Sequence, residues 1–363
     1  MDRRDLPKTL REFELRFAQT LPAGATAYFS GGSADEITLR SNTDAWSQLE
    51  IFPRVLVDVS TRDRSVRLLG SQRPHPLVVA PTAYHGLAHP RAEEATAAGA
   101  AQTQTPYTLS TLATRRPAEV ANAVPDGSNW FQIYRFKDRG ISDSLMAEAI
   151  DSGFEALVLT VDLPVLGRRD TELESNFTIG DASLVPGVSD ASITGEISMQ
   201  DTADLIDPSL TWKDVEDLSE RSPLPVLLKG ILRPDDALQA IACGAAGVVV
   251  SNHGGRQLDT TPATATVLQE IREALGPDPT VLVDGGIRRG TDVLKALVLG
   301  ADAVMIGRPV IWGLASAGEA GVAAVLNILL DEFDRALALS GYPQASDLAG
   351  RFDLVPTSTR PRH

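Results

Sequence analysis

One cysteine in 363 residues rules out an internal disulfide, and Cys243 lies in Ala240-Ile-Ala-Cys-Gly-Ala-Ala, where a small buried thiol is the ordinary occupant. Basic residues fall short of acidic ones, 33 Lys plus Arg against 48 Asp plus Glu, a formal charge of −15. That field repels a nucleic-acid duplex or an anionic membrane surface, so neither is expected as a partner. Histidine is scarce, five in all and none at metal-ligand spacing, so no metal site is expected. No apolar run reaches the roughly 20 residues that span a bilayer, and no charged segment followed by an apolar one opens the chain. A soluble cytoplasmic protein is expected. At 43% apolar and 22% charged, the composition also excludes disorder and collagen-like repeats.

What is present is a rhythm. From Pro76 onward, short apolar β-branched runs alternate with longer helix-like stretches, as in a parallel sheet buried behind helices. Strands are predicted over 77–80, 107–109, 130–134, 156–160, 226–229, 247–251, 280–284 and 303–306. Eight is the number that closes a (β/α)8 TIM barrel. Helices are predicted over 91–101, 141–152, 234–243, 262–275 and 290–299, several opened by Pro and closed by Gly. An open doubly wound sheet is the alternative, and the regular repetition favours the barrel.

At roughly 150 residues per domain the length suggests two domains, yet an α/β barrel of about 250 residues with insertions accounts for it as one. The expectation is a single α/β domain over 1–363, with an N-terminal helical extension in 1–75, the barrel in 76–340 and a long active-site lid in 170–211. The extension holds an amphipathic helix over 10–21 and a strand–turn–strand over 55–69 that would plug the barrel base. The segment 170–211 is rich in Asp, Ser, Thr and Gly, has little periodicity and follows the fourth strand, so it is expected to be a mobile lid.

Nearly every predicted strand ends in polar or glycine-rich residues, and barrel enzymes build their sites at those ends. Strand seven runs into Asp284-Gly-Gly-Ile-Arg-Arg-Gly and strand eight into Ile306-Gly-Arg-Pro. Glycines admit a phosphate close to backbone N–H groups, Arg288 and Arg308 supply charged donors, and loops seven and eight are this fold's recurring phosphate site. Val249-Val-Ser-Asn-His-Gly-Gly-Arg places His253 at a strand tip, where an imidazole titrating near neutral pH serves as a general base. His75, His89 and His363 are read as structural or solvated, with His85 left open. Leu163-Pro-Val-Leu-Gly-Arg-Arg-Asp puts Arg168 and Arg169 past strand four, and with Arg256 they offer forks on opposite sides of the mouth for a carboxylate.

These motifs resemble the FMN-dependent 2-hydroxy-acid oxidases, the group of glycolate, lactate and mandelate oxidases and dehydrogenases. The resemblance runs through almost the whole chain, because Tyr28-Phe-Ser-Gly-Gly, Ala80-Pro-Thr-Ala, Phe131-Gln-Ile-Tyr, Leu159-Thr-Val-Asp and Leu166-Gly-Arg-Arg also match in order and spacing. It implies FMN across the barrel mouth. The phosphate would meet Gly286, Arg288, Gly307 and Arg308, in loops that also hold Asp284, Gly285 and Ile287. The ring would meet Pro81, Thr82, Ala83, Ser110, Gln132, Thr160 and Ser251, with Lys229 at its N1/O2 edge. Tyr28, Arg169 and Arg256 would hold the substrate carboxylate, and Tyr134 its hydroxyl. His253 would remove a proton while two electrons pass to the flavin, and Asp162 would orient the imidazole. The family is commonly tetrameric, so a homotetramer is implied.

Some glycolate-type members carry an aromatic residue where this chain has Leu112, which leans the substrate toward mandelate or 4-hydroxymandelate and away from glycolate. Ala83 stands where oxidases of the family tend to carry Ala, implying dioxygen as electron acceptor and hydrogen peroxide as product. Tyr84 and His85 are placed near the pocket. A membrane-associated mandelate dehydrogenase would want an apolar lid, whereas 170–211 is acidic and polar. A related barrel that uses a loop cysteine nucleophile lacks one here, since Cys243 sits in a helix pattern.

Overall fold

The computed structural model describes residues 6–175 and 177–355, and His363 lies outside them. Eight strands form a closed barrel: β1 Leu77–Val79, β2 Tyr107–Leu109, β3 Asn129–Ile133, β4 Ala156–Thr160, β5 Val226–Ile231, β6 Gly247–Val250, β7 Thr280–Val283 and β8 Ala303–Ile306. Each pairs in parallel with the next, and Val304 opposite Leu77 closes β8 onto β1. Covered on both faces, these strands need apolar side chains at most positions, which is why they read as apolar runs with polar residues mainly toward their ends. Alternate residues split into two cores. Val78, Trp130, Val158, Leu227, Val249, Leu282 and Met305 fill the barrel, while Leu77, Phe131, Leu157, Val248 and Val304 face the helices.

The predicted helices of the repeat are found within about two residues, as Ala92–Gln102, Arg139–Asp151, Pro234–Ala242, Thr264–Leu275 and Gly290–Val298. Three helices precede the barrel: α1 Leu10–Thr20, α2 Ala23–Ser30 and α3 Ile37–Gln48. Thr9 caps α1 by accepting the Glu12 N–H at 3.2 Å, and Leu10, Phe13 and Phe17 form its buried stripe. The strand–turn–strand lies further on than expected. Val66–Leu68 pairs antiparallel with Ser71–Arg73, and Leu68 joins the barrel interior, so the plug is present in a shifted register. Its two-residue turn, Leu69 and Gly70, takes φ of +48° and +78°, a primed turn without the usual Asn-Gly signal.

The segment 170–211 is not structureless. It folds into the short helices Asp170–Glu174, Pro186–Ser189 and Met199–Ala203 and a ladder of Gly180–Asp181 with Glu196–Ile197, packed around buried Ile179, Val185, Val188 and Ile197. Its apolar residues follow no single period because they serve several short elements, some opened by local caps such as Asp181 and Ser198. The C-terminal helix Arg308–Ser340 departs from the reading of apolar runs, being long and apolar enough to cross a membrane by length and composition. Its backbone leaves helical geometry at Ala317 and Gly318, and its apolar face packs against Ala92–Gln102, α1 and Gly290–Val298.

Candidate active site

The polar strand ends converge on one cavity at the C-terminal mouth of the barrel. Of the residues to which the family resemblance assigns a role, all but Asp162 and Ser251 line it, and those two stand directly behind lining residues. Asp162 Oδ1 lies 2.9 Å from His253 Nδ1, and Ser251 Oγ accepts from Lys229 Nζ at 3.0 Å and from the His253 N–H at 3.1 Å.

The loop after β6 holds three successive left-handed residues, His253, Gly254 and Gly255, with φ of +57°, +63° and +75°. Gly255 has no substitute there, because a Cβ would stand 2.6 Å from the Leu39 nitrogen of α3. The turn aims the imidazole into the cavity with Nδ1 on Asp162. Burial, opposed by Asp162 and assisted by Lys229 and Arg169, holds His253 below its usual 6.5. Burial would raise the Asp162 carboxyl, but His253 and Lys229 outweigh it and keep that group low. The pair therefore rests as carboxylate and neutral imidazole at neutral pH. With the Nδ1 proton assigned to Asp162, Nε2 keeps a free lone pair.

Beside this pair lies Lys229, 3.2 Å from Asp284 Oδ2. Its burial disfavours the charge, yet Asp284 and Asp162 raise it, so the ammonium is retained. The ends of β2, β3 and β4 carry a ladder of fixed dipoles, in which Gln132 Nε2 donates to Thr160 Oγ1 at 3.0 Å and Gln132 Oε1 accepts from Ser110 Oγ at 3.1 Å. Tyr28 and Tyr134 are both raised by burial, so each phenol keeps its proton.

On one side stand Arg169 and Arg256. They are neighbours, not forks on opposite sides of the mouth as the spacing suggested, since Arg169 Nε donates to the Arg256 carbonyl at 3.3 Å and both reach Glu172. Arg168 is absent from the site; its side chain is 74% exposed and pairs with Asp170 at 2.6 Å. Adjacent residues entering a helix point in different directions, and only one can face the mouth. Tyr84 and His85 do not line the cavity either. Tyr84 packs behind Tyr28 with the rings tilted at 53° and 5.6 Å apart and donates to Thr202 Oγ1, while His85 is buried with Nδ1 2.8 Å from Thr96 Oγ1. His75 is also buried, which pushes it down to about 4.

The far end of the cavity fits a phosphate. Arg288 and Arg308 are half-buried against it, and neither forms an ion pair among the described residues: Arg288 stacks on Trp312 at 5.0 Å, and Arg308 donates to the carbonyls of Phe29, Gly254 and Gly31. Burial, with Arg256 and Arg288 alongside, pushes Arg308 down to about 9, still charged at neutral pH and in want of an anion. The helix opening at Arg308 adds its N-terminal dipole, and a Cβ on Gly307 would meet nothing nearer than Ala80 at 3.8 Å. Asp284 Oδ1 is buried without a partner, as a carboxylate awaiting a hydroxyl would be. Gly285 and Gly286 have a different necessity: a Cβ on Gly286 would lie 2.2 Å from the Asn42 oxygen, so these glycines admit α3. That helix then pins both loops, through Trp46 Nε1 to Gly285 O at 2.8 Å and a reciprocal amide pair between Asn42 and Asn252.

Sequence reasoning passed over Glu172, Phe177, Leu163 and Met199. Leu163 and Met199 line the cavity, and Phe177 stacks on Tyr28 at 5.1 Å. Glu172 carried a usable signal, a carboxylate three residues after Arg169 at a helix start. Phe177 and Met199 are isolated apolar residues in a polar segment, with no period to assign them a face.

The family model described as FMN-dependent dehydrogenase matches residues 17–352. The chain is 44% identical over 341 residues to the peroxisomal (S)-2-hydroxy-acid oxidase GLO4 of Oryza sativa subsp. japonica, covering 93% of each. It is 43% identical over 356 residues to an L-lactate oxidase of Nostoc sp., covering 95% of this chain and 98% of that one. Among solved structures, mandelate oxidase with (S)-2-phenylpropionate superposes with a TM-score of 0.85 at 38% identity, covering 95% and 97% of the two chains. A soluble mutant of the membrane-associated (S)-mandelate dehydrogenase from Pseudomonas putida does so at 0.88 and 34%, covering 96% and 99%.

Proposed function

The chain belongs to the FMN-dependent dehydrogenase family, and from that premise we propose that it oxidises an (S)-2-hydroxy acid to the 2-keto acid, with dioxygen accepting the two electrons and two protons as hydrogen peroxide. The observation that carries this reading is an imidazole, backed by a carboxylate at 2.9 Å, in one cavity with two neighbouring guanidiniums. Arg169 and Arg256 hold the substrate carboxylate, with Tyr28 against them, and Tyr134 hydrogen-bonds the hydroxyl. His253 Nε2 takes a proton from the substrate, and Asp162 stabilises the imidazolium that forms. Bound FMN supplies the two-electron acceptor. Arg288, Arg308 and Gly307 would hold its phosphate, Asp284 would accept from a hydroxyl of its chain, and Ser110, Gln132 and Thr160 would meet its ring. Lys229 offers fixed positive charge where negative charge develops.

Leu112, Leu163 and Met199 give the pocket an apolar wall, which supports a mandelate- or 4-hydroxymandelate-type substrate. The identity of 43% to an enzyme named L-lactate oxidase favours a second reading, a short-chain hydroxy acid. An anaerobic panel of lactate, glycolate, mandelate and 4-hydroxymandelate, followed by flavin absorbance, separates them. Admitting air should then restore the oxidised spectrum and release one peroxide per flavin; reoxidation without peroxide would remove the oxidase reading.

A further inference from the structure

The mouth holds one buried carboxylate to which the proposed reaction gives no task. Glu172 sits at the start of the segment that covers the site, with its side chain 7% exposed. Its Oε1 accepts from Arg256 Nη2 at 3.0 Å and from Arg169 Nη1 at 3.4 Å, so one oxygen ties the two forks together. Other acceptors fix what remains of their geometry. Arg256 Nη1 donates to the carbonyls of Tyr28 and Gly31, and Arg169 Nε to the carbonyl of Arg256. On Arg256 this leaves the Nε proton and one Nη2 proton, and on Arg169 the outer protons, enough for a bidentate carboxylate.

Two guanidiniums that share one carboxylate oxygen lie close enough to repel each other, and burial together with Arg256 already lowers Arg169 below its usual value. A substrate carboxylate would hold them together only while bound. We infer that Glu172 is a positioning residue with two effects: it keeps Arg169 and Arg256 at carboxylate-binding spacing between turnovers, and it cancels one of their two charges so that an anionic product can leave. This rests on the reading that the two arginines take the substrate carboxylate. A purely structural ion pair that merely anchors Asp170–Glu174 would predict a change in stability alone.

The two effects separate in Glu172→Gln, which keeps an acceptor oxygen and the side-chain shape but removes the charge. Benzoate and acetate, carboxylates with no hydrogen to give, are titrated into the FMN-loaded enzyme and read from the flavin spectrum. Their Kd is expected to fall at least threefold at low salt, with the gain fading by about 0.5 M NaCl as screening sets in. The same variant is expected to lose about threefold or more in kcat for the best hydroxy acid, because the anionic keto acid leaves more slowly when the charge of Glu172 is gone. Glu172→Ala serves as a second variant, and thermal unfolding reports whether each has folded. Tighter anion binding with slower turnover supports the inference. Values of Kd and kcat both within twofold of wild type, or Kd rising while kcat falls, overturn it. A wild-type enzyme reduced by no hydroxy acid of the panel would instead overturn the reading beneath it.

Discussion

Replacing Asp162 by Asn tests the catalytic pair with the smallest change in shape. Asp162 Oδ1 stands 2.9 Å from His253 Nδ1, and the two side chains are 15% and 18% exposed. When the imidazole takes the substrate proton, unit charges about 4 Å apart form in a site of effective dielectric near 20, worth about 4 kcal/mol. The amide keeps part of this through its dipole, but it also permits the tautomer that puts the lone pair on the wrong nitrogen. A loss of about 3 kcal/mol, or 10² to 10³ in the rate of flavin reduction, is expected. The assay is anaerobic stopped flow at saturating hydroxy acid, with flavin content measured on the same sample. Asp162 does not line the cavity, so bound FMN should stay at the wild-type level. His253→Ala should abolish reduction and likewise leave the cofactor bound. A D162N rate within threefold of wild type would refute the assignment of His253 as a base oriented by Asp162.

Burial sets His253 below 6.5 despite the opposing pull of Asp162, and the base works deprotonated. Hence kcat/KM should stay level above neutrality and fall only as pH drops through that lowered value, and a limb that falls between pH 7 and 8 would contradict it. Gly286→Ala places a Cβ 2.2 Å from the Asn42 oxygen at a φ of +82°, so about 3 kcal/mol of stability should go, together with flavin retention, as read by denaturant unfolding and the bound-flavin spectrum. Leu112 is buried on the cavity wall, and Leu112→Trp should raise KM for mandelate about tenfold more than KM for lactate; equal changes would remove Leu112 from the substrate pocket.

The barrel was legible because its strands are buried on both faces, a condition that forces unbroken apolar runs such as Val281-Leu-Val and Ala303-Val-Met-Ile. The loops that follow were legible because Asp284-Gly-Gly and Ser251-Asn-His-Gly-Gly have few other uses at a strand end. Less legible were features set by direction. Arg168 and Arg169 are chemically identical in sequence, and only the turn into Asp170–Glu174 decides that the first meets solvent and the second Glu172. Gly286 is necessary for the reason glycine usually is, but the neighbour it admits is Asn42, more than 200 residues away in the chain. The folded order of 170–211 escaped because its core is built from pairs such as Val185 with Val188 and Ile179 with Ile197, too short to show a period.

Charge balance at the mouth explains why so acidic a chain gathers cations there. Lys229 is offset by Asp284, and the pair Arg169 and Arg256 by Glu172, which leaves one positive charge at that side. Arg288 and Arg308 have no ion pair among the described residues, which leaves two at the far end. On the proposed reading these remainders match the guests: a phosphate of charge near −2 at one end and a monocarboxylate at the other. Asp162 remains, a carboxylate hydrogen-bonded to the imidazole of His253. Its charge is balanced when His253 carries the substrate proton, so the site is best neutralised at the moment of reaction, and the stabilisation goes to the charge that develops instead of to the resting enzyme.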